Sequence, residues 1–447
     1  MLGPRLVVAG THSGAGKTTV ATGLMAALRR QGRVVASAKV GPDFIDPGYH
    51  ALATGRPGRN LDPWMCGPSL IGPLAGRAAS GADVLVVEGV MGLFDGAADG
   101  SPSSTADVAV ALDAPVLLVV DCSSQAASVA ALVHGFATFD PRVRVAGVVL
   151  NRLASDSHEA MVRAAIGAMA APVPVVGALR RDERLSWRDR HLGLVPVAER
   201  PDEVAAALDH LADLIAERCD LDRVLAVAAA AEPLEVDDVP VPTRVGAARI
   251  AVAGGRAFTF QYPDNVEALE AAGAEVVPFD PLHDPALPEG IDGLVVGGGF
   301  PEVMAEALAA NEALRRDVAR RVADGLVTWA ECGGLLWLAR SLDGHPMVGA
   351  LPVDAAMTDR LTLGYRTAVQ QADSPLGPAG TVLRGHEFHC TATTPAGAAL
   401  ELTGRTGTGP GGFATPTVLA SYLHVHLAGQ PALAEAFVAA AAARRAG

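Results

Sequence analysis

From Arg5 onward, short apolar runs rich in Val and Leu alternate with stretches of helical periodicity: LVVAG, TTVATGLMAALRR, VVASAKV, and later VLVVEG, VLLVVD, VAGVVLN and VPVVGAL. Short apolar runs separated by helices predict parallel strands joined by crossover helices and buried on both faces. The first half is therefore expected to be a layered α/β domain ending near Arg218. The stretch that follows, LAVAAAAEPLEVDDVPVPTRVGAA, carries Pro233, Pro240 and Pro242 among acidic and small residues and reads as a boundary. Alternation restarts at RIAVAG and continues through AEVVPFD, GLVVGGGF and LVTWAECGG, which predicts a second α/β domain with a site of its own. A chain of 447 residues exceeds one ordinary core. We divide it into a domain over 1–222, a linker over 223–245 and a domain over 246–447.

Composition narrows the class. Half the residues are hydrophobic, yet no run reaches the roughly 18 uncharged residues of a membrane helix, and the start lacks the basic and apolar zones of a signal peptide. We expect a soluble, cytoplasmic protein. A net charge of −14 argues against a nucleic-acid binder. Five cysteines, odd in number and without metal-type spacing, speak against a disulfide framework and leave room for a working thiol. Of 35 basic residues only Lys17 and Lys39 are lysines, and 33 are arginines. Both lysines fall in the first 40 residues, one of them inside a glycine loop.

That loop, GTHSGAGKTT, sits between an apolar run and a helical stretch. The common phosphate loop has a glycine six positions before its lysine, where this chain has Thr11; Gly10 stands one position further back. Gly14, Gly16, Lys17, Thr18 and Thr19 complete a cradle whose backbone N–H groups and helix start converge on phosphates. Lys17 would neutralise β/γ oxygens and Thr18 would ligate Mg²⁺. A plain strand-to-helix turn is the alternative, but it needs no Lys-Thr pair. Glu88, closing VLVVEG, is expected to hold Mg²⁺ directly or through water, or else to cap the next turn. In KVGPDFIDPGYH, Asp43 is a further metal candidate, while Asp46 and Tyr49 are candidates for contact with substrate. Asp46-Pro47 is also an ordinary turn. The lengthened loop resembles that of dethiobiotin synthetase and its relatives, which implies ATP-dependent activation of a carboxylate.

In TWAECGGLLWL, Cys332 directly follows an apolar strand and precedes Gly333-Gly334 and an apolar helical stretch. A thiol on so sharp a turn is projected outward, with neighbouring N–H groups favouring thiolate. A buried cysteine at a strand end is also common as inert packing. Two other segments favour the catalytic reading: VVGGGFPE, where Gly298 and Gly299, with Gly333, could form an oxyanion hole, and SYLHVHLAG, where His424 or His426 could serve as base.

The order of a GGG loop, a cysteine elbow and a late Tyr-x-His resembles class I glutamine amidotransferase domains. The segments KVGPDFIDPGYH, GRPGRNLDPWM, VEGVMGLFDG, VVLNR, YPDNVEALEAAGAE, GGGFPE, ECGGLLWL, MTDRLTLGYR, RGHEFH and SYLHVH resemble the cobyrinic acid a,c-diamide synthase family over nearly the whole chain. The resemblance implies a fold of two parts: an N-terminal, dethiobiotin-synthetase-like P-loop domain with a parallel sheet, and a C-terminal α/β amidotransferase domain. It implies Cys332 as nucleophile and His424 as its base. Many amidotransferases have an acid two residues beyond that histidine; here the position is His426, so the pair must work without it. Asn151 would contact adenine or cap the next turn. His386 and His389 are structural or substrate-facing, and Glu387 has no role readable from sequence.

The implied reaction uses ATP and Mg²⁺, glutamine as nitrogen donor and a corrinoid acetate as acceptor, with no nucleic-acid or membrane partner and a homodimer as one admissible state. Ammonia exposed to water would be protonated, so a protected passage is expected. The motifs do not separate cobalt-containing cobyrinate from cobalt-free hydrogenobyrinate; the Ala- and Arg-rich composition leans toward the latter. Rival readings are a diamide synthase for another tetrapyrrole, such as nickel-sirohydrochlorin, and a partitioning-type nucleotide switch carrying an inactive amidotransferase fold.

Overall fold

The computed structural model describes residues 1–182, 189–190, 193–194, 196–199 and 201–446. The chain divides into two compact units, Met1–Val239 and Pro240–Gly447. The stretch read as linker therefore begins inside the first unit. Its Ala-rich start, which holds no proline before Pro233, continues as the helix Leu221–Ala229. Asp220 caps that helix by accepting from the Arg223 N–H, and Leu221, Val224 and Ala228 are buried. Among the described residues no helix is long and apolar enough to cross a membrane.

The first unit is built on seven parallel strands: β1 (Arg5–Gly10), β2 (Val35–Val40), β3 (Arg59–Leu61), β4 (Val84–Glu88), β5 (Val116–Asp121), β6 (Val145–Leu153) and β7 (Val175–Arg180). Their order in the sheet is β3-β2-β4-β1-β5-β6-β7. Helices cover the strands, which is why β1, β2 and β4 are buried at every residue and read as continuous apolar runs. Helix α1 (Lys17–Arg30) turns Val20, Leu24, Met25 and Leu28 into this core. Gly23 lets the helix Pro201–Arg218 approach: a Cβ there would stand 2.6 Å from Ile215 and 2.9 Å from Leu211. In a parallel sheet every carboxyl end lies on one edge. The C-termini of β1, β2 and β4 are adjacent there, and so are the residues that follow them.

The second unit repeats the principle with a six-stranded sheet. Its order is Ala274–Phe279, Ala248–Ala253, Gly293–Val296, Val327–Glu331, Val418–Ser421 and Phe413–Thr415, with only the last strand antiparallel. A further sheet is dominated by the antiparallel pair Asp354–Gln370 and Val382–Thr394. Against its second strand lies the short strand His424–Val425, with His386 opposite His424. Val327–Glu331 ends at Cys332, and the helix Gly333–Leu338 starts at once. That turn is possible because Gly334 has no side chain: a Cβ would sit 2.2 Å from the Val296 carbonyl oxygen. Gly334→Ala is expected to destabilise the second unit by about 1–3 kcal/mol or more through this overpacking, read as a lowered midpoint in denaturant unfolding.

Candidate active sites

At the carboxyl end of β1 the chain leaves the sheet and enters α1 through a loop whose Gly14 (φ 81) and Gly16 (φ 97) adopt left-handed conformations suited to glycine. No side chain caps α1. A helix start of this kind attracts anions. Gly10 is required by the lysine: a Cβ would stand 2.9 Å from Lys17 Cγ. Lys17 Nζ donates to the His12 carbonyl at 3.2 Å. Burial, together with the neighbouring Lys39 ammonium, lowers its pKa to about 8, with Glu88, Asp46 and Asp95 opposing. Thr19 follows, partly buried on α1.

Asn151, on β6, is spent on the loop itself. Its Nδ2 donates to the Ala15 carbonyl at 2.9 Å and its Oδ1 accepts from the Arg152 N–H at 2.9 Å. A Cβ on Gly16 would lie 2.1 Å from that Nδ2. The side chain braces the phosphate loop and holds the N–H of the next residue, as the capping alternative expects.

The carboxylates form a buried cluster at the ends of β2 and β4. Glu88 Oε1 accepts from Thr18 Oγ1 at 2.6 Å and from Lys39 Nζ at 2.7 Å, and its Oε2 lies 2.6 Å from His50 Nε2. Lys39 Nζ also reaches Asp46 Oδ2 at 2.6 Å and the Gly89 carbonyl at 3.0 Å. Burial would push the Glu88 carboxyl up, but Lys39 and His50 outweigh it and hold the group well below the ordinary range. Asp46 is pushed up by burial and by Asp43, and Lys39 only partly offsets them. Asp46 Oδ2 is 3.4 Å from Thr18 Oγ1. Asp43 has a different position: its Oδ1 accepts from the N–H groups of Ile45 and Asp46, at 2.7 and 3.0 Å. It shapes the turn into helix α2 (Asp46–Thr54), so Asp46 rather than Asp43 is the aspartate beside Thr18. Tyr49 is buried on α2. Lys39 and His50 are the residues that sequence reasoning missed here, although Lys39 carried a signal as one of two lysines in the chain.

In the second unit Cys332 has φ 46, a left-handed backbone unusual for a residue with a side chain and typical of strained nucleophile turns. Its N–H donates to the Ser421 carbonyl at 2.7 Å, which pins the elbow to the neighbouring strand. The glycine loop lies directly against it: a Cβ on Gly333 would be 3.0 Å from Gly299 N and 3.3 Å from Gly298 C. A Cβ on Gly298 would in turn meet His424, at 2.5 Å from Cε1 and 3.3 Å from Nε2. The glycine loop thus adjoins the elbow at Gly333 and His424 at Gly298. The Gly298 N–H, however, donates to the Phe260 carbonyl at 3.2 Å, because residues 260 and 298 form a small β-bridge. The Gly333 N–H meets the thiol, and Gly299 N lies beside Gly333. Burial pushes that thiol up; the Glu302, Glu331 and Glu387 carboxylates add to this and the Gly333 N–H opposes it. Burial thus works against the thiolate that the turn would favour, and attack calls for a base.

The histidines divide by environment. His386 stacks on His424 with ring centroids 5.0 Å apart, and its Nε2 is 3.2 Å from the Tyr262 hydroxyl. Tyr262 in turn packs on His426, at 4.6 Å. His389 stacks flat on Tyr422 at 3.7 Å and donates from Nδ1 to the Thr391 carbonyl. Burial lowers its pKa to about 4, keeping it neutral. Glu387 is engaged by Arg366 at 2.8 Å. Glu331, missed in the sequence, sits 3.7 Å from His424 Nδ1.

The two units coincide with two family matches. Residues 6–195 match the CobQ/CobB/MinD/ParA nucleotide binding domain, and residues 249–432 match the CobB/CobQ-like glutamine amidotransferase domain. The chain is 52% identical to a hydrogenobyrinate a,c-diamide synthase of Streptomyces coelicolor, with 97% of each chain covered. The chain belongs to the cobyrinate and hydrogenobyrinate a,c-diamide synthase family. Within it, a hydrogenobyrinate a,c-diamide synthase of Thermobifida fusca is 50% identical, over 99% of this chain and 98% of the relative. A cobyrinate a,c-diamide synthase of Syntrophotalea carbinolica is 44% identical, over 97% and 98%.

The lowered Lys17 sets a pH dependence for nucleotide binding. Below pH 8 the ammonium is present to meet the phosphates; above it the cradle loses its cation, and binding must take up a proton. ATP affinity is expected to fall by up to about tenfold per pH unit above that point, consistent with one linked proton. Lys17→Ala should bind weakly throughout with this slope removed, as titration calorimetry between about pH 7 and 10 would measure.

Proposed function

We propose that this protein amidates the a- and c-acetate carboxylates of hydrogenobyrinate in two rounds, taking nitrogen from glutamine and driving each round with ATP. The observation that carries the reading is the union in one chain of a glycine-rich strand-to-helix loop bearing Lys17 and Thr18 and an elbow cysteine whose adjoining glycine loop lies against a buried histidine. The choice of the cobalt-free ring rests on the relatives: those named for hydrogenobyrinate are 48–52% identical, those named for cobyrinate 40–44%.

In the first unit the backbone N–H groups of the loop and α1 hold the ATP phosphates, and Lys17 neutralises β/γ oxygens. A substrate carboxylate oxygen attacks the γ-phosphorus, ADP leaves, and an acyl phosphate results. Ammonia then attacks the acyl carbon, losing a proton as phosphate departs and the amide forms. The hard oxygens of Thr18, Asp46 and Glu88 fit Mg²⁺, an ion that keeps several waters and takes one or two carboxylates with the phosphates. When bound it supplies charge neutralisation at the phosphate oxygens. Glu88, with both oxygens already engaged, would act through water. Lys39 keeps Glu88 ionised at the bottom of the site.

In the second unit the Cys332 proton passes to His424 as sulfur attacks the glutamine amide carbon. Gly299 and Gly333 N–H groups receive the developing oxyanion. The imidazolium returns its proton to the leaving nitrogen, ammonia departs, and water releases glutamate from the thioester.

Cys332→Ala is expected to abolish glutamine-dependent product while retaining synthesis with added ammonium salt. Mass spectrometry should register two successive acid-to-amide changes on hydrogenobyrinic acid with the wild type; no change on the ring would remove the substrate assignment. Glu88→Gln should raise the Mg²⁺ concentration needed for half-maximal turnover. An unchanged Mg²⁺ titration would reduce Glu88 to a structural anchor.

A further inference from the structure

The position where many amidotransferases place a third acid holds His426, whose ring packs against Tyr262. We propose that Glu331, the residue immediately before the nucleophile, takes over that acid's task and is a positioning residue for His424. This rests on the glutamine-hydrolysing role given above to Cys332 and His424.

The geometry is specific. Glu331 lies at the end of the central strand Val327–Glu331 and is buried, 5% exposed. Its Oε1 accepts from the Val425 N–H at 2.9 Å, so the carboxylate is tied to the backbone next to His424. Its other oxygen, Oε2, is the one 3.7 Å from His424 Nδ1. The remaining neighbours are held elsewhere: Glu387 is paired with Arg366, and His386 lies against the flat face of the His424 ring, where it cannot meet Nδ1 in the ring plane. Cε1 and Nε2 are the ring atoms nearest Gly298, which adjoins the elbow. The carboxylate thus addresses Nδ1, while Nε2 lies beside the glycine loop that adjoins the elbow.

A negative charge at Nδ1 selects the tautomer that carries its proton there, leaving Nε2 bare to accept from the thiol. When the thiol proton moves to Nε2, both nitrogens carry protons and Glu331 balances the new charge. Glu331 itself takes up no proton. Acids outside the His-x-acid pattern escape a motif search, yet this one is positioned as tightly as Cys332, because they are consecutive residues of one strand end.

Two measurements test this. In wild-type protein labelled with ¹⁵N-histidine, with the His424 signals assigned by comparison with His424→Gln, the resting ring is expected to carry its proton on Nδ1. A proton on Nε2 would overturn the assignment whatever any variant does. Glu331→Gln keeps an acceptor for the Val425 N–H but presents N–H groups to Nδ1, favouring the wrong tautomer. We expect the kcat for glutamine hydrolysis to fall about 100-fold or more, the scale of lost general-base catalysis, with KM for glutamine within about twofold and ammonia-supported synthesis retained. A kcat within about twofold of wild type, or a raised KM at full kcat, refutes a positioning role. Wild-type protein that hydrolyses no glutamine would instead overturn the function proposed for the whole second unit, and this inference with it.

Discussion

A carboxylate withdrawn entirely from water must be paired or it will not stay ionised, and Glu88 shows how the first unit is arranged around that requirement. It is fully buried at the end of β4, and its partners come from three other places: Thr18 from the first turn of α1, Lys39 from β2 and His50 from α2. Each contact ties one element to the same edge of the sheet. Removing the charge would strand Lys39 beside Asp46 and release Thr18 from its fixed orientation. The cluster is thus a structural keystone as well as part of the site, and the same atoms serve both ends. It also explains the clustering of the only two lysines: Lys17 stands ready for phosphate, while Lys39 is committed within the protein.

The second unit reaches its geometry through backbone proximity. Cys332 is held at a left-handed φ, and Gly298, Gly299, Gly333 and Gly334 remove the side chains that would keep three segments apart. Where the first unit concentrates charge, this one concentrates glycines and stacked aromatic rings around a nearly dry thiol. The imidazoles of His386 and His424 stack with centroids 5.0 Å apart, which restrains the plane of the His424 ring.

The parallel architecture of each unit is legible because it follows from apolar runs of the right length, and the positions of Lys17 at a helix start and of Glu88 and Cys332 at strand ends follow from the same runs. What is not legible depends on side-chain direction or on backbone pairing. Asp43 and Asp46 are three residues apart in one loop, and only the turn into α2 decides that one binds backbone N–H groups while the other faces Thr18. Gly298 looks like a free donor until its bridge with Phe260 is seen. Asn151 meets the phosphate loop across 136 residues of chain. Glu331 stands beside His424 through the packing of strand ends, a relation with no fixed sequence spacing. The helix Leu221–Ala229 was hidden by its alanines, which resemble linker composition as readily as a buried helical face.

The burial that pushes the Cys332 thiol up also bears on its chemical durability. Oxidation to sulfenic acid and beyond proceeds through the thiolate, and a thiol that stays protonated in a buried pocket is a poor target for peroxide. A nucleophile whose thiol is held up by burial is to that extent withdrawn from the oxidation ladder. The burial that makes a base necessary thereby also acts as a preservative.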